Sequence, residues 1–380
     1  MKIVFTSNGV LTPYAGMNNR AVSLANNIVN SDEEVLFFVF SNTRKDIDPK
    51  IKVIEYAPLK IGSESIFRTS ERFGPSKFLF SKLVSRQFKK IDPDVVCVDH
   101  PPMDWYVSET RKHARFKVVY TYHSDVDPNL YSGKMREIME RYRKRSQESA
   151  SNADLAISVS NFVKEQLAEN SINSTVVYNG VDTKLFKPRI INYSRYKMGT
   201  PTIIYVGRLL PFKGVDLLIN SFKKVKEEIT DARLYIVGSA FGKDDIDYWR
   251  ELEQLSKGFQ NSIFFLGNVS DEILSLLYSV SDLFACASLY EGFGMPFLEA
   301  QSCGLPCVGF NTSAIPEVVI NERTGILVEK ANIEKLTEST KQLLTDDDSR
   351  RKMGLRAREH AEKFSWNNIS VRFHKILREL

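Results

Sequence analysis

The feature that most constrains the fold is an alternation of short apolar runs with amphipathic stretches along almost the whole chain. Short runs rich in β-branched and aromatic residues predict strands, and the stretches of helical period between them predict crossover helices. Strands joined by helices in this way form parallel sheets. The predicted strands lie near residues 3–7, 35–40, 51–55, 95–98, 117–122, 155–158, 175–178, 202–206, 233–237, 263–266, 283–286, 306–309 and 326–328.

The alternation is interrupted at residues 189–201, which have no clear period and predict a linker. A chain of 380 residues is too long for one ordinary core. We therefore expect an α/β protein of two Rossmann-like domains, at 1–187 and 188–364. Two such halves create a central cleft, where ligands of these proteins usually bind.

Composition excludes several classes of protein. With 43% hydrophobic and 26% charged residues, the chain has the make-up of a soluble globular protein. Its N-terminus enters a strand pattern rather than a signal peptide, so we expect a cytoplasmic location. The net charge of +5 is too small to indicate nucleic-acid binding. The four cysteines form no C-x-x-C pair, so we expect neither a zinc site nor a disulfide framework.

The strongest local signal is the segment EGFGMPFLE, which begins at Glu291 and ends at Glu299. Gly292 and Gly294 permit a tight turn close to a ligand, and Pro296 suits the first turn of a helix. A phosphate at that helix start would meet free N–H groups and the positive end of the helix dipole. The two carboxylates would then accept hydrogen bonds from a hydroxyl-rich ligand. The alternative is equally open: Glu299 merely complements the helix dipole, and Glu291 is a solvated loop charge.

A second signal is VGRLLPFKG at residues 206–214, at the end of a predicted strand. Arg208 and Lys213 would project from this strand-to-helix loop toward the cleft. Two cations at such a position suit a diphosphate. The alternative is a pair of solvated loop cations.

These two segments, with YNGVD at residues 178–182, resemble glycosyltransferase family 4. This is the retaining group with the GT-B fold that includes glycogen synthases and mannosyltransferases. Similar motifs continue as FLGNV at 265–269, SVSD at 279–282, EAQSCGLP at 299–306 and NERTG at 321–325. The resemblance covers nearly all of residues 155–365 and is looser over the first 150 residues.

The resemblance implies a hexosyltransferase that uses a UDP- or GDP-linked sugar. Arg208 and Lys213 would offset charge on the departing nucleotide, in place of a divalent metal or other cofactor. Glu299 would hold the ribose hydroxyls, and Glu291 would lie near the transferred sugar. The further residues implied to bind sugar, phosphate or base are Asn268, Val269, Gly292, Phe293, Gly294 and Met295.

In the first domain, TPYAGMNNR at residues 12–20 matches the position of the family's glycine loop, of which Gly16 remains. His123 follows a predicted strand and resembles the family histidine that contacts donor sugar and acceptor. His100 ends a neighbouring strand and is a second candidate. A histidine at a strand end is also common as a structural residue. The resemblance further implies that the last helix, 365–380, crosses back to pack on the first domain.

The acceptor side is indicated by basic stretches at residues 76–90 and 134–145, preceded by an aromatic-basic segment from Phe67 to Phe73. Such a surface could rest on anionic lipid, so we expect a glycolipid or a growing glycan as acceptor and a peripheral position on the inner face of the membrane. An ordinary solvated helix face is the alternative. Two other functions stay open: a sugar-nucleotide epimerase of the same fold, and a non-catalytic subunit that binds a sugar nucleotide.

Overall fold

The computed structural model describes residues 1–11, 16–42, 44–55, 74–99, 107, 115–124, 127–131, 133–189, 200–240 and 243–380. The described chain divides into two compact units. The first unit comprises Met1–Gly180 and Trp366–Leu380, and the second comprises Val181–Ser365. Each unit contains a parallel sheet flanked by helices, so the predicted α/β architecture is confirmed.

The first unit contains a seven-stranded sheet in the order β3-β2-β1-β4-β5-β6-β7. The strands are β1 (Lys2–Leu11), β2 (Glu34–Asn42), β3 (Lys52–Glu55), β4 (Val95–Val98), β5 (Lys117–Tyr122), β6 (Leu155–Ser158) and β7 (Thr175–Val176). The helices are α1 (Gly16–Ile28), α2 (Gly74–Ile91), α3 (Gly133–Asn152) and α4 (Asn161–Ala168). The strand order reverses between β1 and β4, so the switch point where such sheets bind ligands lies there.

The second unit contains a six-stranded sheet in the order β10-β9-β8-β11-β12-β13. The strands are β8 (Thr202–Val206), β9 (Arg233–Val237), β10 (Ile263–Gly267), β11 (Leu283–Cys286), β12 (Cys307–Phe310) and β13 (Gly325–Val328). The helices are α5 (Val215–Glu228), α6 (Lys243–Leu255), α7 (Asp271–Val280), α8 (Met295–Ser302), α9 (Ile315–Val318), α10 (Ile333–Thr345) and α11 (Asp347–Glu362). Here the switch point lies between β8 and β11.

The apolar runs of the sequence become buried strands because helices cover both faces of a parallel sheet. In β8, Ile203, Ile204 and Tyr205 are fully buried. In α5, the buried residues Leu218, Phe222 and Val225 recur at helical spacing, which turns one face of the helix to the sheet.

The boundary between the units differs from the predicted one. Residues 181–187, which we expected in the first domain, belong to the second unit. The Ser302 hydroxyl donates to the carbonyl of Phe186 at 2.6 Å, and the Ser275 hydroxyl donates to the carbonyl of Leu185 at 2.7 Å. The boundary therefore lies at Gly180, because side chains of the second unit hold this segment. Most of the predicted linker, residues 190–199, is outside the described residues.

The last helix, α12 (Trp366–Arg378), is part of the first unit. Its buried residues Ile369, Phe373 and Leu377 belong to that unit's core. The rings of Phe373 and Phe5 lie 6.4 Å apart between centroids, which joins the helix to β1. Across the part of the chain that the structure describes, no helix combines the length and the apolar character needed to span a bilayer.

Candidate active site

The loop after β8 holds both predicted cations of the second unit. Lys213 ends a short 3₁₀ turn, Pro211–Lys213, and Gly214 follows with a φ of 62° before α5 begins. A Cβ atom at Gly214 would lie 2.0 Å from the carbonyl oxygen of Ala287, so only glycine allows this approach. The N–H of Leu289 also donates to the carbonyl of Phe212 at 2.8 Å. The loop after β8 is therefore fastened to the segment after β11.

This close approach brings Lys213 to Glu291. The Nζ atom of Lys213 lies 2.6 Å from Oε1 of Glu291, and the two side chains are only 16% and 10% exposed. An ion pair so shielded from water is sensitive to the loss of either member, because the remaining charge would be buried alone. The predicted phosphate-binding cation and the predicted sugar-side carboxylate are thus direct neighbours.

Arg208 lies at the start of the same loop, and its side chain is exposed. Its backbone carbonyl accepts a hydrogen bond of 3.1 Å from the buried hydroxyl of Tyr205. Among the described residues, no side chain pairs with the guanidinium. Arg208 is therefore available to an anionic ligand at the carboxyl end of β8.

The segment after β11 turns at Gly294, whose φ is 99°, and α8 begins at Met295 with Pro296 in its first turn. Phe293 is 4% exposed, and its ring lies 6.2 Å from that of Phe364. This packing anchors the backbone from Gly292 to Met295 at the start of the helix. Gly294 and Pro296 therefore have the turn and the helix-start positions that the sequence predicts.

Glu299 lies one turn into α8 and is partly buried. The hydroxyl of Tyr278 donates to Oε2 of Glu299 at 3.1 Å. Burial raises the pKa of Glu299 to about 8, and the charge of Asp271 acts in the same direction, whereas the hydrogen bond from Tyr278 acts against both. The Glu299 carboxyl therefore titrates near neutral pH, and it is more costly to ionise than an exposed carboxyl.

Asn268 and Val269 follow β10, at the same carboxyl edge of the sheet. Asn268 is exposed, and its Nδ2 atom donates to the hydroxyl of Ser239 at 2.9 Å. The N–H of Gly238 donates to the carbonyl of Gly267 at 2.9 Å. These bonds tie the loops after β9 and β10 together.

In the first unit, Gly16 begins α1 and His123 follows β5 directly, at the carboxyl edge of its sheet. His123 is partly buried. His100 and the glycine-loop residues 12–15 lie outside the described residues, as does the aromatic-basic segment 67–73. The structure thus brings together Lys213 and Glu291 in one unit, while Gly16 and His123 belong to the other.

Sequence reasoning assigned no role to Tyr278, Tyr205 or Gly214. Tyr278 lies on the buried face of α7, together with Leu274, Ser275 and Ser279. A buried tyrosine usually has a partner for its hydroxyl, which is the one signal that could have found it. The role of Gly214 could not be found in this way, because its neighbour is a backbone atom in a remote segment.

The described residues contain no group of three or more histidine, cysteine or acidic side chains that could hold a metal ion. All four cysteines are free and buried. Around the switch point between β8 and β11 there are instead two cations, two carboxyl groups and a helix start. Phosphate and hydroxyl groups suit this set, which lies at the switch point where parallel α/β sheets usually bind ligands.

Comparison with known families identifies the group more closely. The family description "Glycosyltransferase Family 4" matches residues 14–185, and "Glycosyl transferases group 1" matches residues 186–360. The chain belongs to this family of glycosyltransferases.

Curated relatives agree with this assignment. An uncharacterized glycosyltransferase of Methanocaldococcus jannaschii is 31% identical over 61% of this chain and 61% of its own length. A GDP-mannose-dependent alpha-(1-6)-phosphatidylinositol monomannoside mannosyltransferase of Mycobacterium tuberculosis is 29% identical over 52% of this chain and 54% of its own length. The match with this chain thus spans between about half and three fifths of the length of these relatives.

Solved structures share the fold over the entire chain. Sucrose-phosphate synthase from Thermosynechococcus elongatus has a TM-score of 0.81 and 21% identity, and the match covers 100% of this chain and 98% of that one. Anabaena HepE in complex with UDP-glucose has a TM-score of 0.79 and 22% identity, with 100% of both chains covered. At such low identity, these likenesses establish the fold.

Proposed function

We propose that the protein is a retaining glycosyltransferase that moves a hexose from a UDP- or GDP-linked sugar to a hydroxyl group of a glycolipid or a growing glycan. The observation that carries the proposal is the Lys213–Glu291 pair at 2.6 Å, beside the exposed Arg208, at the switch point of the second sheet. Relatives support the donor class: one is named as GDP-mannose-dependent, and one neighbouring structure contains UDP-glucose.

The donor diphosphate would bind Arg208 and Lys213. Charge builds on the departing nucleotide as the glycosidic bond breaks, and two fixed cations stabilise it without a divalent metal. The start of α8 adds free N–H groups on the same side. We infer a front-face mechanism, in which the acceptor oxygen bonds to the anomeric carbon on the face from which the phosphate leaves, and the leaving phosphate takes the proton of the acceptor hydroxyl.

The hydroxyl groups of the donor would be recognised by the two glutamates. We assign the ribose to Glu299 and the transferred hexose to Glu291, with backbone contacts from Gly292 to Met295. The loop at Asn268 and Val269 would meet the base. On the first domain, we assign Gly16, His100 and His123 to the acceptor side and its neighbouring sugar.

The acceptor proposal is supported by the exposed basic side chains of α3, among them Arg136, Arg141 and Lys144. Glu140 neutralises part of this charge, because it pairs with Arg136 at 3.1 Å. The remaining cations would hold the protein against an anionic membrane surface. A relative that acts on a phosphatidylinositol mannoside, according to its name, fits a lipid-linked acceptor.

The test is nucleotide release from UDP- and GDP-sugars, measured with and without a bacterial glycolipid extract. A transferase releases nucleotide faster when the acceptor is present, and the lipid gains sugar. An epimerase converts the donor sugar without acceptor, and a binding subunit does neither. Either of these last results would overturn the proposed activity.

The variant Glu299→Ala gives a second, independent measurement. Loss of the ribose contact leaves its hydroxyls buried and unpaired, which costs about 2–3 kcal/mol of nucleotide affinity. Calorimetry with UDP and GDP measures this directly. Unchanged affinity in a folded variant would remove Glu299 from the donor site.

A further inference from the structure

Tyr278 contacts Glu299 of the candidate donor site from the buried side of α8. It lies on α7, is fully buried, and donates its hydroxyl hydrogen to Oε2 of Glu299 at 3.1 Å. The same hydroxyl lies 3.4 Å from the carbonyl oxygen of Pro296, in the first turn of α8. One hydroxyl therefore touches both the carboxyl group and the start of the helix that holds it.

The ring of Tyr278 is held from two directions. The ring centroid of Phe186 lies 6.1 Å away in an edge-on arrangement, and that of Phe284 lies 6.2 Å away. Phe284 in turn packs edge-on against Phe297 of α8 at 4.9 Å. The ring is fully buried between these aromatic neighbours, and its hydroxyl is directed toward Glu299.

The hydrogen bond from Tyr278 occupies only one of the two carboxyl oxygens of Glu299. Oε2 accepts from Tyr278, whereas Oε1 has no hydrogen bond to any residue of the described ranges. Burial and the nearby Glu299 hold the pKa of Tyr278 well above its usual range, so the phenol stays protonated and can donate to the ionised carboxylate. A carboxylate oriented in this way presents its other oxygen to a ligand.

We propose that Tyr278 is a positioning residue for the donor: its hydroxyl fixes the orientation of the Glu299 carboxylate that binds the ribose. The inference rests on the proposed function of Glu299. Tyr278 itself does not touch the nucleotide. Its role is to hold one carboxylate oxygen in advance. The carboxylate then loses little further rotational freedom when it binds the ribose hydroxyls.

The hydrogen bond also stabilises the form of Glu299 that ribose needs. A ribose hydroxyl donates to a carboxylate, and Tyr278 is the neighbour that favours this ionised state. Burial and Asp271 oppose it, while Cys303 stays neutral because burial raises the pKa of its thiol to about 12. Removal of the phenol hydroxyl therefore raises the pKa of Glu299 beyond about 8.

The test compares Tyr278→Phe with the wild type in calorimetric titrations with UDP and with GDP from pH 6.5 to 9.5. The variant should bind nucleotide about three- to tenfold more weakly at pH 7, because one hydrogen bond to the charged form is lost. The pH at which affinity levels off should move upward, so the difference should shrink at high pH. A packing defect alone would weaken binding equally at all pH values.

Two further variants make the result decisive. Tyr248→Phe removes a different phenol hydroxyl of the second unit, one that bonds to Asp216 at 2.6 Å, and should keep the wild-type profile. Glu299→Gln should bind weakly and without this pH dependence. If Glu299→Gln binds normally, the proposed ribose contact is wrong. If Glu299→Gln is weak but Tyr278→Phe has the wild-type affinity and profile, Tyr278 has no positioning role.

Discussion

The ammonium group of Lys213 lies 2.6 Å from the carboxylate of Glu291, although 78 residues separate them in the chain. Their loops follow β8 and β11, which are paired neighbours in the sheet. Gly214 permits this approach of the two loops, because its backbone lies against that of Ala287 with no room for a side chain. A cation and a carboxylate that are remote in the chain thus meet at the switch point.

Gly214→Ala should destabilise the second unit strongly. The new methyl group would lie 2.0 Å from a carbonyl oxygen, at a φ of 62° that side chains disfavour. We expect a loss of about 3 kcal/mol in the free energy of unfolding. The control is Gly258→Ala, where φ is 85° and nothing lies within 4 Å. It should lose only about 1–2 kcal/mol. Urea denaturation measures both, and equal losses would contradict a steric role for Gly214.

Lys213→Ala should reduce turnover much more than donor affinity. Its charge is proposed to act on the departing nucleotide, and loss of one such group costs about 10²–10³-fold in kcat. The control is Lys224→Ala, which removes an exposed ion pair with Glu334 in the same unit. That variant should stay near the wild-type rate. Nucleotide release at saturating donor compares them, and similar rates for both variants would remove Lys213 from catalysis.

Activity should persist in EDTA. Arg208 and Lys213 are proposed to supply the positive charge at the diphosphate, in which case a divalent cation has no necessary role there. Nucleotide release is measured after dialysis against EDTA, with the undialysed enzyme as control. Complete loss of activity that Mn²⁺ or Mg²⁺ restores would show that the two cations are not sufficient.

The stability of the ligand-free protein should fall as pH rises toward 8. The pKa of Glu299 is about 8 in the folded protein and about 4.3 in an unfolded chain. Between these values the folded state binds more protons, so the free energy of unfolding decreases with pH, by at most about 1.4 kcal/mol per pH unit. Glu299→Gln should flatten this slope, whereas Glu253→Gln, at an exposed position of α6, should keep it. Urea denaturation at pH 5–9 tests this, and an unchanged slope in Glu299→Gln would refute the raised pKa.

The basic face of α3 should bind vesicles that contain anionic lipid. The test variant neutralises four residues: Arg141, Arg143, Lys144 and Arg145. The control neutralises four exposed residues of the second unit: Arg351, Lys352, Arg356 and Lys363. Binding of the wild type and the control should weaken with salt, because charges beyond about 8–10 Å are screened near physiological ionic strength. Flotation that is equal for the two variants, or absent for the wild type, would leave α3 a solvated helix face.

The strands could be predicted from the sequence because their period is a local property. The runs near 95–98, 202–206 and 283–286 coincide with β4, β8 and β11. The turn at Gly294 and the start of α8 are equally local, since glycine and proline restrict the backbone where they stand. The domain boundary was predicted seven residues too late. Residues 181–187 are held by Ser275, Ser302 and Arg358, and no local pattern reveals such distant partners.

By itself, the sequence determined the secondary structure, the two α/β halves and the two segments that carry candidate site residues, around Arg208 and Glu291. Only the tertiary structure decided how these residues pair: Lys213 with Glu291, and Glu299 with Tyr278. The physical reason is that periodicity depends on neighbours a few residues apart. Ion pairs and buried hydrogen bonds depend instead on strand order, and on one close approach between the backbones of Gly214 and Ala287.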